Sequence, residues 1–211
     1  SPSTFGKGTV QRFIDLDRSV AGFSEIKPLG SVKLTIQKFY RIDGGSTQLR
    51  GVIPDIVLPD DFYYLEVGEK DNDFPMEWTE IASVPHEQNV YKVQKLDQIK
   101  AKSAQRVKED PIFKEILENA KRLKTQRDNS EYTLNLEQFR ALQEKMHEQN
   151  ESYKKLFEQD VVFGVENLRS DIAYIEAEEG RKARNEDWVK TIRQDIHLRE
   201  TLQIMHDILA N

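Results

Sequence analysis

The sequence contains no cysteine. This absence excludes disulfide bonds, thiol catalysis and zinc sites built on cysteine. No apolar run approaches the roughly 18 residues that a membrane-spanning helix requires. The net charge is −6, so a surface that neutralises phosphates is not expected, and nucleic-acid binding is not predicted.

Histidine is also scarce, with four residues in the chain: His86, His147, His197 and His206. None of them forms the His-Glu-x-x-His pair in which two imidazoles on one helix face bind zinc. Structural or surface roles are therefore favoured for the histidines. No metal and no cofactor is expected.

The first 60 residues have the patterns of strands. Residues 8–16 are short and partly alternating, and residues 32–37 alternate between apolar and polar side chains, which is typical of a half-buried strand. The Asp-Gly-Gly sequence at 43–45 predicts a tight turn. Residues 51–59 are predicted to form an edge or terminal strand, because Pro54 cannot donate a hydrogen bond to a central ladder.

The later part of the chain has helical periodicity. Asp110 and Pro111 are typical of a helix start, an N-cap followed by a proline at the first helical position. Apolar stripes predict helices at 112–123, 139–157, 165–175 and 198–209, the last with Asp195 as a cap. The apolar run at 161–163 fits either a strand or a loop plug.

These patterns predict an α+β fold. A short strand-rich segment over residues 1–60 is followed by a connector over 61–94, which is rich in Asp, Glu and Pro. A mainly helical C-terminal domain is expected over 95–211.

The most informative segment is Thr-Phe-Gly-Lys-Gly-Thr-Val-Gln at residues 4–11. It places Lys7 between two glycines at the entrance to a strand. A lysine serves as a general base near neutral pH only if burial lowers its pKa by about 3 units from the usual value near 10.4. Phe5, Val10 and Phe13 are candidates for the apolar walls of such a site. The alternative is an ordinary surface lysine in a turn.

Two other lysine motifs do not fit this segment. A phosphate-binding loop needs Ser or Thr after the lysine, and here Gly8 follows Lys7. It also needs a glycine five positions before Gly6, which is absent. In a Ser-x-x-Lys pair the serine lies three residues before the lysine, whereas Ser3 lies four before Lys7. Ser3 is therefore not expected to be a nucleophile.

Two segments together resemble the C-terminal processing peptidases. Residues 4–11 are similar to the lysine segment of that family, and residues 30–56 are similar to the family's next segment, on the C-terminal side of the lysine. Within residues 30–56, Ile-Gln-Lys-Phe-Tyr-Arg at 36–41 and Gly-Gly-Ser-Thr-Gln at 44–48 resemble the tail-specific protease branch of Gram-negative bacteria. The helical remainder resembles the family only loosely, through segments such as residues 108–113.

The resemblance implies a periplasmic serine endopeptidase with a Ser/Lys dyad, which recognises unstructured C-terminal tails through a PDZ domain. By the motif match, Lys7 takes the role of general base and Gln11 corresponds to the glutamine that orients the dyad. The family's serine, PDZ domain and signal peptide would lie upstream of Ser1. The chain by itself is therefore expected to be inactive, since a general base without its nucleophile performs no acyl transfer.

The partners implied are protein substrates with unstructured C-termini, with a periplasmic adaptor lipoprotein or a second protomer as further candidates. A different class of function stays open beside the enzyme. In that alternative, the helical part is a non-catalytic interaction module that docks an adaptor, a substrate or a second protomer. A Lys7 substitution separates the two functions, because catalysis needs the lysine and docking does not.

Overall fold

The computed structural model describes residues 2–19, 22, 24–87, 92–158 and 163–210. The chain divides into two compact units, Ser1–Val57 with Glu66–Tyr91 and Leu58–Leu65 with Lys92–Asn211. Two strands precede six α-helices, so the predicted α+β class is confirmed. The prediction for 161–163 cannot be compared in full, because residues 161 and 162 lie outside the described ranges.

The strands form an antiparallel hairpin, β1 at Thr9–Asp15 and β2 at Ser31–Lys38. Alternation predicts both strands, and both are confirmed. The expected half-burial of β2 is wrong for this chain, because its apolar residues Val32, Leu34 and Ile36 are exposed and no described residue covers them. Ile14 lies opposite Val32, and the register shifts once, between Val10 and Gln11. Short 3₁₀ turns at Leu16–Ser19 and Ser24–Ile26 lie in the connection between the strands.

The predicted tight turn follows β2. The Gly44 amide donates to the Arg41 carbonyl at 2.9 Å, and Gly44 has a φ of +89°, a backbone conformation that favours glycine. The turn is joined to a later segment, because the Ile81 amide donates to the Gly44 carbonyl at 2.9 Å and Gly45 forms an isolated bridge with Glu80. The glycine pair therefore supplies both the reversal and a close backbone approach.

The prediction of a strand at 51–59 is wrong, since no strand occurs in this fully described segment. Gly51 has a φ of +66°, which is incompatible with extended backbone. Val52 instead makes two hydrogen bonds with Thr4: the Thr4 amide donates to the Val52 carbonyl at 3.0 Å, and the Val52 amide donates to Thr4 Oγ1 at 2.9 Å. The prolines at 54 and 59 lack an amide hydrogen, so the segment cannot continue this pairing as a ladder.

Six α-helices follow: α1 Leu96–Glu109, α2 Pro111–Asp128, α3 Leu136–Leu156, α4 Arg169–Glu176, α5 Glu179–Arg193 and α6 Ile196–Leu209. Both predicted caps are confirmed. The Asp110 carboxylate accepts from the amides of Ile112 and Phe113, and the Asp195 carboxylate accepts from the amide of Leu198. Each side chain thereby satisfies amides that have no partner within the helix.

The core of the helical unit is centred on α2. Phe113 and Ile116 are buried there together with Ile196 of α6. Partly buried apolar residues surround them: Leu58, Val107, Ile112, Tyr153, Phe157 and Phe163. The predicted stripe on α2 is therefore a core-facing stripe.

Residues 58–65 contact the helical unit through polar groups as well as through Leu58 in its core. Asp61 accepts from Asn119 Nδ2 at 2.9 Å and from the Tyr153 hydroxyl, and a ring nitrogen of His197 lies 2.8 Å from the Pro59 carbonyl oxygen. Burial, aided by the bond to Asp61, raises the pKa of Tyr153, so its hydroxyl keeps its proton and acts as a donor.

The buried face of α6 differs from the prediction. Leu202, Met205 and Leu209 of the predicted stripe are exposed, whereas Ile196 and Glu200 are buried. The Glu200 carboxylate can be buried because it forms an ion pair with Arg106 of α1, which donates to it from both Nε and Nη2. Glu200, through this hydrogen bond, raises the pKa of Arg106, so the guanidinium keeps the charge that the buried carboxylate needs.

Candidate active site

Lys7 lies in the segment that leads into β1, and Gln11 lies on β1 itself. The Lys7 Nζ donates to Gln11 Oε1 at 2.6 Å. The structure therefore brings together the two site residues expected from the sequence. Alternation along a strand could not establish this contact alone, because Lys7 precedes the strand.

The backbone around Lys7 is held by the loop that follows the glycine turn. The Leu49 amide donates to the Gly6 carbonyl at 2.7 Å, and Thr47 Oγ1 donates to the Lys7 carbonyl at 3.3 Å. The Gly8 amide donates to Gln48 Oε1 at 2.8 Å. Three successive residues of the lysine segment are thus bonded to three successive residues of one loop.

The glycines that flank Lys7 make this close approach possible. A Cβ built on Gly8 would lie 2.5 Å from the Gln48 amide nitrogen and 2.6 Å from Ser46 Oγ, distances that no side chain tolerates. Gly6 has a φ of +87° and would place a Cβ 3.1 Å from the Gly51 nitrogen. The Gly-Lys-Gly sequence is therefore a steric requirement of the loop contact as well as a feature of the motif.

The expected apolar walls are not formed around Lys7 by the described residues. Lys7 is exposed, and so are Phe5, Val10 and Phe13, at 51%, 42% and 67%. The Phe13 ring instead lies beneath the Lys33 ammonium, 5.5 Å from the ring centroid. The prediction that these three side chains enclose the lysine is wrong for this chain.

The two parts of the sequence match two family descriptions. Residues 1–58 match peptidase family S41, and residues 62–210 match the C-terminal domain of tail specific protease. The chain belongs to the tail-specific protease family. One relative is the tail-specific protease of Haemophilus influenzae, which is 36% identical over 168 residues. That alignment covers 72% of this chain and 23% of the relative, so the chain spans less than a quarter of the length of that protease.

One more residue that contacts the lysine segment, Gln48, was not identified from the sequence. Gln48 is part of the Gly-Gly-Ser-Thr-Gln motif, yet no local pattern indicates its contact with Gly8, forty residues away. A buried glutamine in a loop has no periodic signal. Only the steric demand of the Gly-Lys-Gly segment hints that another backbone lies against it.

Other candidate sites are few within the described ranges. No group of three or more histidines or carboxylates could hold a metal ion, and no helix is long and apolar enough to cross a membrane. A groove of about 690 Å³ lies between α4 and α5 and has apolar residues such as Ile172 and Val189 with charged ones such as Lys182 and Glu186. It contains no arrangement of nucleophile and base.

Proposed function

We propose that Lys7 is the general base of a Ser/Lys-dyad endopeptidase, with Gln11 as the residue that orients it. The observation that supports this role is the 2.6 Å bond from Lys7 Nζ to Gln11 Oε1, in a segment that matches a peptidase family. The serine nucleophile is supplied by a part of the protease outside this chain.

The proposed role requires Lys7 to act as a neutral amine. A deprotonated lysine has two N–H groups and one lone pair, so one N–H donates to the Gln11 oxygen while the lone pair accepts the serine proton. The serine oxygen then attacks the scissile carbonyl, and the new ammonium returns its proton to the departing amine. Water attacks the acyl-enzyme in the second half, with Lys7 again accepting and returning a proton.

An uncharged partner is important for this chemistry. A carboxylate next to Nζ would favour the ammonium form, which cannot accept a proton. The glutamine oxygen accepts a hydrogen bond without adding a negative charge. Gln11 thus orients Nζ without stabilising the protonated form as strongly as Asp or Glu would.

The remainder of the protease is proposed to cover the hairpin. Six apolar side chains of β1 and β2 are exposed in the described residues: Val10, Phe13, Ile14, Val32, Leu34 and Ile36. An open two-stranded hairpin of this kind is marginal in water alone. Apolar surface of the rest of the peptidase would bury these side chains and could also enclose Lys7.

The substrates and the compartment follow from the family resemblance. We place the whole protease in the periplasm, where it would cleave proteins after recognising an unstructured C-terminal tail. A matched pair of unfolded substrates tests the recognition step. One has a free C-terminal tail, and the other has the same internal cleavage sequence but a folded domain fused to its C-terminus. Equal cleavage of the two would contradict tail recognition.

The second candidate function is a non-catalytic interaction module. The exposed residues Leu202, Met205 and Leu209 on α6 favour it, because apolar side chains on one helix are left uncovered by the described residues. Substitution of Lys7 discriminates between the functions. The enzyme loses turnover without the lysine, whereas binding through α6 would be unchanged.

We expect the 211-residue chain alone to cleave no peptide bond, because the proposal places the serine nucleophile outside it. The measurement is mass spectrometry of an unfolded substrate after long incubation with the purified chain. The full-length protease is the positive control. Cleavage by the pure chain that Lys7→Ala removes would show that a nucleophile is present within it, and would contradict this proposal.

Gln11→Ala should lower kcat of the full-length protease by about tenfold, which corresponds to the loss of one hydrogen bond of about 1.4 kcal/mol. Gln11→Glu should lower it further, because the carboxylate favours the ammonium. Gln37→Ala is the matched control, since it removes another exposed glutamine of the hairpin that has no bond to Lys7. If Gln11→Ala reduces thermal stability and leaves kcat unchanged, Gln11 is a structural residue.

A further inference from the structure

We propose that Gln48 is a positioning residue for the lysine base: its buried amide fixes the backbone next to Lys7 and thereby sets where Nζ lies. This inference rests on the proposed role of Lys7. Gln48 does not touch the reacting atoms, and it acts through Gly8.

The Gln48 side chain is completely buried, and both the oxygen and the nitrogen of its amide group form hydrogen bonds. Oε1 accepts from the Gly8 amide at 2.8 Å, while Nε2 donates to Glu69 Oε1 at 3.2 Å and to the Met76 carbonyl at 3.0 Å. A rotation of the amide by about 180° would direct Nε2 at an N–H donor and Oε1 at a carboxylate. Both contacts would be repulsive, so the surrounding groups permit only one orientation.

Glu69 connects this amide to the lysine segment a second time. Its own backbone amide donates to the Phe5 carbonyl at 2.8 Å, and its second carboxylate oxygen accepts from Asn72 Nδ2 at 3.4 Å. The residue that holds Gln48 is therefore itself bonded to the residue two before Lys7. The segment is fixed on both sides of the lysine.

The loop bearing Gln48 has a strained backbone. Leu49 has a φ of +63°, a region that non-glycine residues rarely adopt. Such conformations persist where surrounding contacts over-determine them, and they cluster at functional sites. Here the strained residue is the one whose amide donates to the Gly6 carbonyl, so the strain accompanies contact with the lysine segment.

Lys7 is thus held at both ends. Gln11 holds Nζ, and Gln48 holds the peptide unit that begins at the Lys7 carbonyl carbon. A lysine side chain is long and flexible, so one hydrogen bond from Nζ still allows Nζ to move along an arc around the Gln11 oxygen. Fixing the backbone as well restricts Nζ to one position relative to the nucleophile.

The test uses the full-length protease with two variants. Gln48→Met keeps the length and shape of the side chain but removes all three hydrogen bonds. We expect kcat to fall by about 10²-fold, the effect of a displacement of about 1 Å in a reacting group, with KM unchanged. A residue that merely stabilised the fold would change neither constant for the folded fraction of the enzyme.

The second variant combines Gln48→Glu with Glu69→Gln. This exchange preserves an acceptor for the Gly8 amide and restores a donor from residue 69, but it turns a carboxylate oxygen toward the Met76 carbonyl oxygen, which accepts from Nε2 in the wild type. We expect it to regain part of the lost kcat, at least tenfold over Gln48→Met. Gln48→Glu alone should be worse than either, because two carboxylates would then face each other.

Amide hydrogen exchange of the full-length protease supplies a readout that is independent of activity. The Gly8 amide should exchange faster in Gln48→Met and regain protection in the exchanged pair. If Gln48→Met keeps full kcat while Lys7→Ala is inactive, the inference about Gln48 is wrong and the base stays assigned. If Lys7→Ala keeps its turnover, the proposed function and this inference both fail. If Gln48→Met does not fold, a folded but inactive exchanged pair overturns the inference.

Discussion

Lys7→Ala in the full-length protease should reduce kcat by about 10³-fold or more, the range expected for loss of a general base that activates a nucleophile. In the proposed mechanism, loss of Nζ leaves the proton on the serine hydroxyl, which then attacks the carbonyl poorly, and it leaves the departing amine without its proton donor. Because Nζ is proposed to act on the serine proton and not on the bound substrate, the loss should appear in kcat and not in KM.

Lys7→Arg should fail to rescue the activity, although it keeps the positive charge and much of the length. The guanidinium stays protonated at any pH the protein survives, so it has no lone pair to accept the serine proton. Lys33→Ala is the matched control, because it removes a second lysine of the hairpin that lies over Phe13 and not beside Gln11. Substantial turnover by the arginine variant would exclude a base role for Lys7.

The features that were predictable from the sequence depend on short-range chemistry. The caps Asp110 and Asp195, the turn at Gly44 and the alternation of β1 and β2 each follow from a few neighbouring residues. The association of Lys7 with Gln11 came from the resemblance. The structure adds the hydrogen bond between them.

Two helices were missed because their buried faces are not apolar stripes. The buried positions of α1 are Ile99 and Ser103, and the same helix contributes Arg106 to the ion pair with Glu200. α5 has no buried residue within its described range, and most of its side chains are polar or charged. Periodicity of hydrophobic residues cannot detect a helix whose buried face is small or charged.

The face of α6 illustrates the same limit. Leucine and methionine spacing predicted that Leu202 and Met205 point inwards, yet a buried Glu200 defines the inner face. A buried carboxylate is unfavourable unless a charged donor meets it, and the donor, Arg106, lies 94 residues away in sequence. The contact between Gln48 and Gly8 could not be predicted for the same reason, since the two residues lie forty positions apart in the sequence.

Phe113→Asp should unfold the helical unit. Phe113 of α2 is completely buried, and its ring packs edge-on against the His197 ring of α6 with centroids 5.5 Å apart. Removing a buried phenylalanine side chain costs about 3–5 kcal/mol. A carboxylate without a cationic partner in the same place adds a further penalty of several kcal/mol. Together these terms approach the whole stability of a typical domain, about 5–15 kcal/mol.

The measurement is far-ultraviolet circular dichroism together with amide exchange of α2 and α6. Both signals should be lost together, because Ile116 and Ile196 share one cluster with Phe113 and cannot stay packed without it. Leu134→Asp is the matched control: Leu134 is fully exposed between α2 and α3, so the same change in chemistry should leave both signals intact. If Phe113→Asp kept its helical signal and its amide protection, the α2 stripe would have to face solvent rather than this core. In that case the apolar surface of the unit would be available to a partner, and the interaction-module function would be favoured over a purely structural role for the helices.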